Sequence, residues 1–80
     1  MTFHELQQRL ISDLRQRVRS GDVTERSLAR ATGVSQPHMH NVLKGTRLLS
    51  VDTSDQILKN LDMDVLDLIE LEDVREFRRR

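Results

Sequence analysis

Residues 24–45 read Thr24-Glu25-Arg26-Ser27-Leu28-Ala29-Arg30-Ala31-Thr32-Gly33-Val34-Ser35-Gln36-Pro37-His38-Met39-His40-Asn41-Val42-Leu43-Lys44-Gly45, and this stretch decides the fold. Thr24 has the side chain of a helix N-cap, and the short helix it opens carries Leu28 and Ala29 inward until Gly33 closes it. Ser35 is the next N-cap, and Pro37 is tolerated because it falls in the first turn, where a backbone N–H has no intrahelical acceptor. Met39, Val42 and Leu43 share one face of the following helix, which Gly45 stops. Ala29 is small where the two helices must approach closely, and Gly33, four residues on, supplies a positive φ that a side chain penalises. Val34, Met39 and Val42 seal the angle between the helices with aliphatic contacts. A small residue, a glycine four later, and apolar residues ten and thirteen beyond the small one give the spacing of a helix-turn-helix. An ordinary helical corner shares one or two of these features; the full set points to the helix-turn-helix.

The flanking sequence is helical too, because three-and-four spacing of apolar residues is frequent and alternation is absent. Thr2 and Glu5 have the spacing of a capping box. Phe3, Leu6, Leu10, Leu14 and Val18 then trace one apolar stripe, with Ile11 at its edge, and Gly21 ends the first helix. Residues 46–49 read as a loop. A fourth helix is predicted from about Ser50 to Asn60, with Val51, Ile57, Leu58 and Leu61 buried. Asp64 caps a fifth, beginning Val65-Leu66-Asp67-Leu68-Ile69, in which Val65 and Ile69 face the core. The fold class is therefore all-α, a compact five-helix domain over residues 1–70, with residues 71–80 as a helical extension. In that extension Leu71, Val74 and Phe77 cluster on the opposite side of the helix from Val65 and Ile69. Either the helix bends around residue 70, or these three offer a dimerisation surface to a second copy. A tail folded back on its own domain is the competing arrangement.

Composition removes several functional classes. Eighty residues make one modest core and leave little room for a substrate cleft with supporting groups. There is no cysteine, so no disulfide and no Cys-based zinc or iron–sulfur site. Apolar runs never exceed two residues, which gives neither a membrane-spanning helix nor a signal peptide in this sequence. The expected setting is a reducing cytoplasm. Net charge is zero, yet unevenly spread. Residues 1–50 set eight basic side chains against four acids, a net +4, and residues 51–80 set five against nine, a net −4. One part can face a polyanion and the other solvent or a protein partner, although a solvated mixture of surface charges reads equally well.

The stretch 24–45 resembles the Cro/lambda-repressor class of DNA-binding domains, the xenobiotic-response-element family. Val34-Ser35-Gln36-Pro37, followed by Asn41 and the helix-ending Gly45, is similar to that family's recognition helix. The two later helices fit its five-helix fold, so the resemblance covers about residues 2–70. It implies sequence-specific operator binding, usually by a two-fold dimer that regulates transcription. Two positions depart from the pattern. Glu25 stands where the family often has a Gln whose side chain approaches a phosphate, a contact that Arg26 or the helix N-terminus can take over. Leu43 stands where many members carry an acid paired with an Arg of the first helix, so an apolar contact is expected there instead.

On the outward side of the third helix, Gln36 and Asn41 are the leading base readers, since each amide can bond adenine N6 and N7 together. Pro37 offers apolar contact, for instance to a thymine methyl. His40 and His38 flank this face, His40 toward a base edge and His38 toward a phosphate, with plain solvent exposure the alternative for both. Lys44, Thr46 and Arg47 lie just beyond or at the helix end and suit phosphates, as does Arg26. Asn41 and Gln36 also have simpler readings, as polar surface residues or partners of local backbone. His38 and His40 are two apart on a helix, pointing about 200° from one another, so they do not share a metal ion. No cofactor is expected, and no nucleophile–base spacing or phosphate-cradling glycine loop suggests an enzyme. The expected partners are double-stranded DNA with a pseudo-palindromic operator, a second copy of the chain, and no membrane. The alternative function is a protein-interaction module, such as an antitoxin-like partner whose acidic second part holds another protein.

Overall fold

Thr2 starts the first helix: its hydroxyl accepts from the Glu5 N–H at 3.1 Å, and α1 runs over Phe3–Ser20 until Gly21 turns left-handed at φ 86°. In this computed structural model, which describes residues 1–78 apart from the side chains of Leu71 and Phe77, four further α-helices follow. They are α2 (Glu25–Thr32), α3 (Gln36–Lys44), α4 (Val51–Asn60) and α5 (Leu71–Arg78), with a single 3-10 turn at Val65–Leu68 before the last. Each of α2, α3 and α4 begins at a Thr or Ser hydroxyl that accepts from a backbone N–H three residues on, which satisfies a donor the helix itself cannot. No strand occurs among the described residues.

One aliphatic core joins the helices. Leu10, Ile11 and Leu14 of α1 meet Leu28 and Ala29 of α2, Met39, Val42 and Leu43 of α3, and Ile57 and Leu58 of α4. Leu49 and Leu68 close it from the connections. No polar or charged side chain is buried among the described residues. Burying each large aliphatic side chain contributes about 1.5–3 kcal/mol, which is the main force holding α3 in place.

Three expectations about the core need correction. Phe3 is 83% exposed and Val51 69% exposed, although both continue an apolar stripe. Each lies in the first turn of its helix, and together with Leu6, Ser54 and Val65 they line an open groove between α1, α4 and the 3-10 turn. The stripe is read correctly, but its first turn opens onto this groove instead of packing into the core. Ile11, expected at the stripe's edge, is instead among the most buried side chains. The third correction concerns Val65 and Ile69, which are exposed while Leu68 between them is buried. The Asp67 carboxylate reaches back to the Asp64 N–H at 2.8 Å and the Asp64 carboxylate accepts from Leu66 N–H at 3.1 Å, closing a tight turn. A 3-10 turn has three residues per turn rather than 3.6, so a different residue points inward. Ile69 is extended (ψ 132°), and α5 starts afresh after it.

Arg9 anchors this last part to α1. Its guanidinium donates to both carboxylate oxygens of Asp73, one of them at 2.9 Å, and to the Leu68 carbonyl at 3.0 Å. The hydrogen bond from Arg9, then the one from the Glu70 N–H, hold the Asp73 carboxyl down to about 2 from its ordinary 3.8. Because the native value lies below the unfolded one, the stabilisation is complete above the ordinary carboxylate range and is lost as pH falls toward 2. An acid titration of folding by circular dichroism should therefore show a shallower loss between pH 4 and pH 2 for Asp73→Asn than for the unmodified chain. An identical acid limb would contradict the anchor.

Candidate nucleic-acid interface

The α2–α3 unit is built from local hydrogen bonds before any packing. The Thr24 hydroxyl accepts from Ser27 N–H at 3.0 Å, and the Ser27 hydroxyl accepts from Thr24 N–H at 3.0 Å. At the other end of α2 the Thr32 hydroxyl donates to the Leu28 carbonyl at 2.9 Å. Gly33 then adopts φ 72°, a conformation that costs an L side chain about 1–2 kcal/mol. Ser35 accepts from His38 N–H at 3.2 Å and starts α3 immediately.

Met39, Val42 and Leu43 are buried, which fixes the rotation of α3 and leaves the opposite side outward. Gln36, Pro37, His40 and Lys44 are exposed, and His38 and Asn41 are half-buried. Gln36, Pro37, His40 and Asn41, the four residues expected to meet bases, come together with Glu25 around one shallow hollow. Among the described residues, the side-chain amides of Gln36 and Asn41 have no protein partner. Of the residues expected to meet phosphates, Arg26, Lys44, Thr46 and Arg47 are exposed at the end of α3 or on the neighbouring α2. The Thr46 N–H and hydroxyl both donate to the Asn41 carbonyl, at 3.0 and 3.1 Å, which sets the path of the loop after α3. Of the residues expected at a dimer contact, only Val74 has a described side chain. Val74 is exposed, while the side chains of Leu71 and Phe77 lie outside the described residues.

Two contacts were not visible in the sequence. Arg15 of α1 donates through Nε to the Leu43 carbonyl, capping the C-terminal end of α3 where carbonyls lack intrahelical partners. Leu43 packs its side chain in the core as expected, yet the arginine of the first helix still reaches this position, through backbone rather than a carboxylate. Gly45 makes room for it: a Cβ there would lie 3.3 Å from Arg15 Nη2. The second contact joins α3 to α2, with His40 Nδ1 at 3.1 and 3.2 Å from the two carboxylate oxygens of Glu25. The departure of Glu25 from the family's Gln was the one sequence signal for it.

On a second side, His40, Glu25 and Lys44 border a hollow with Arg15 and Arg19. The surface around α3 thus offers unsatisfied amides in its middle and guanidinium or ammonium groups at its edges. That distribution suits a polyanion whose bases lie between two rows of phosphates. Among the described residues no group of three or more metal-binding side chains occurs, and no helix is long and apolar enough to cross a membrane. A family model described as the Cro/C1-type HTH DNA-binding domain matches residues 12–73. No curated protein and no solved structure matches the chain.

Proposed function

The chain belongs to the Cro/C1-type helix-turn-helix DNA-binding domain family, and from that premise we propose that α3 enters the major groove of a short pseudo-palindromic operator, one copy of a homodimer on each half-site. That it is a DNA-binding regulator follows from the family. The finer reading rests on one observation above all: Gln36 and Asn41 line one hollow on α3, and their side-chain amides have no protein partners among the described residues. Each is free to spend its donor and acceptor on a base edge. Pro37 lines the same hollow and offers an apolar contact, and His40 borders it. Arg26, His38, Lys44 and Arg47 hold the phosphates and set register, while Thr46, whose N–H and hydroxyl both go to the Asn41 carbonyl, fixes the loop that presents Arg47. Residues 1–70 form the binding domain in this proposal, and residues 71–80 pair two copies through Leu71, Val74 and Phe77.

Pairing matters because a neutral domain with few phosphate contacts binds weakly alone, whereas two linked half-sites multiply their affinities. Deleting residues 71–80 should convert a dimer to a monomer by light scattering; a shortened chain that still measures as a dimer would rule the pairing segment out. The phosphate assignment is tested by titrating operator DNA over a range of salt. Affinity should fall steeply with salt, and Arg47→Ala should weaken all sequences alike while reducing the slope of log K against log salt by about 1. A loss confined to one sequence would contradict a phosphate role for Arg47.

A further inference from the structure

We propose that Glu25 is a positioning residue that sets which hydrogen-bonding character His40 presents to the duplex, making this pair a specificity determinant of the interface. The inference rests on the major-groove reading of α3. His40 Nδ1 sits 3.1 and 3.2 Å from the two oxygens of the Glu25 carboxylate, astride the group rather than beside it. An ionised carboxylate only accepts, so the proton of that contact belongs to Nδ1. The other ring nitrogen follows: in a neutral imidazole with the hydrogen on Nδ1, Nε2 is a bare acceptor. His40 keeps 54% of its side chain exposed and borders the hollow of Gln36, Pro37 and Asn41. Nε2 is therefore the atom available to a partner.

An acceptor at that place selects for a hydrogen-bond donor. In the major groove the donors are the amino groups of adenine and cytosine, whereas guanine and thymine present acceptors. With Glu25 in place, His40 favours adenine or cytosine on the strand it meets. Without Glu25 either ring nitrogen can carry the hydrogen, the ring adapts to a donor or an acceptor, and discrimination at that position is lost. The carboxylate itself is tolerable near phosphates because the neighbouring hollow holds Arg15 and Arg19 of α1 and Lys44 of α3.

The test has a spectroscopic and a selection arm, both at pH 8, where histidine is ordinarily neutral. Nitrogen-15 imidazole shifts of the unmodified chain should report the Nδ1–H form for His40, and the Nε2–H form would overturn the proposal with no substitution made. Selection from a randomised DNA pool should then show a preference of about tenfold for adenine or cytosine at one position on one strand of each half-site. Glu25→Ala and His40→Ala should each bring that position to within about twofold while leaving the positions read by other residues unchanged. Glu25→Gln should also lose most of the preference, because its amide can donate to Nδ1 as well as accept from it and so no longer places the ring hydrogen. A Glu25→Ala protein that keeps the full preference would overturn the inference, leaving the DNA-binding reading intact. If the unmodified chain enriches no sequence, the major-groove reading fails and carries this inference with it.

Discussion

Met39→Ala is expected to lower the stability of the domain by about 2–5 kcal/mol and to remove operator binding along with it. Met39 is fully buried on the inner side of α3, one of the residues that fixes the rotation of that helix. Truncation removes three heavy atoms from a site lined by aliphatic side chains of the other helices, and the cavity that remains adds to the lost burial. An 80-residue domain has about 4–12 kcal/mol in total, so the loss is a large fraction of it. Met39→Leu conserves volume and should cost less than about 1.5 kcal/mol. Urea titrations of both variants, beside DNA binding at a temperature where each is folded, separate the two effects. A Met39→Ala domain as stable as the parent would mean that α3 is not anchored from inside.

Asn41→Ala should have the opposite character, leaving stability nearly unchanged and relaxing operator selectivity at one base pair by about 1–3 kcal/mol. The Asn41 side chain has no protein partner among the described residues, so its removal breaks nothing within the domain. Its backbone carbonyl, which holds Thr46, is retained in the variant. Competition between the operator and single-base variants measures the change directly. A uniform loss across all sequences would assign Asn41 to phosphate contact, and no loss would remove it from the interface. A pure protein-interaction module would not register the substitution at all.

The helix-turn-helix was legible because its determinants are local. Thr24, Gly33, Ser35 and Gly45 each act through backbone atoms within a few residues, and Met39, Val42 and Leu43 need only helical periodicity to be placed on one side. Phe3 and Val51 were misjudged because periodicity says which residues share a side, and burial depends on what lies opposite. The break after Leu68 was hidden for a related reason. Asp67 was readable as a helix-surface acid, but its carboxylate turns back to the Asp64 N–H and closes the turn early.

The interface was legible residue by residue and not as a network. Gln36, Pro37, His40 and Asn41 follow from one helix, so their clustering was foreseeable. Arg15 and Leu43 are twenty-eight apart, and a backbone carbonyl as acceptor leaves no mark on the sequence. Glu25 and His40 are fifteen apart and meet only because α2 and α3 cross at the Gly33 turn. Contacts of this kind come from the angle between helices, which sequence spacing constrains only loosely.

Selection of bound duplexes from a fully random pool by the unmodified chain tests the central claim most directly. The expected product is a single short motif with two inverted half-sites centred about 10 base pairs apart, enriched strongly at low salt and less so as salt rises. A pool that returns with no motif, at any salt, would show that the exposed side of α3 does not read DNA.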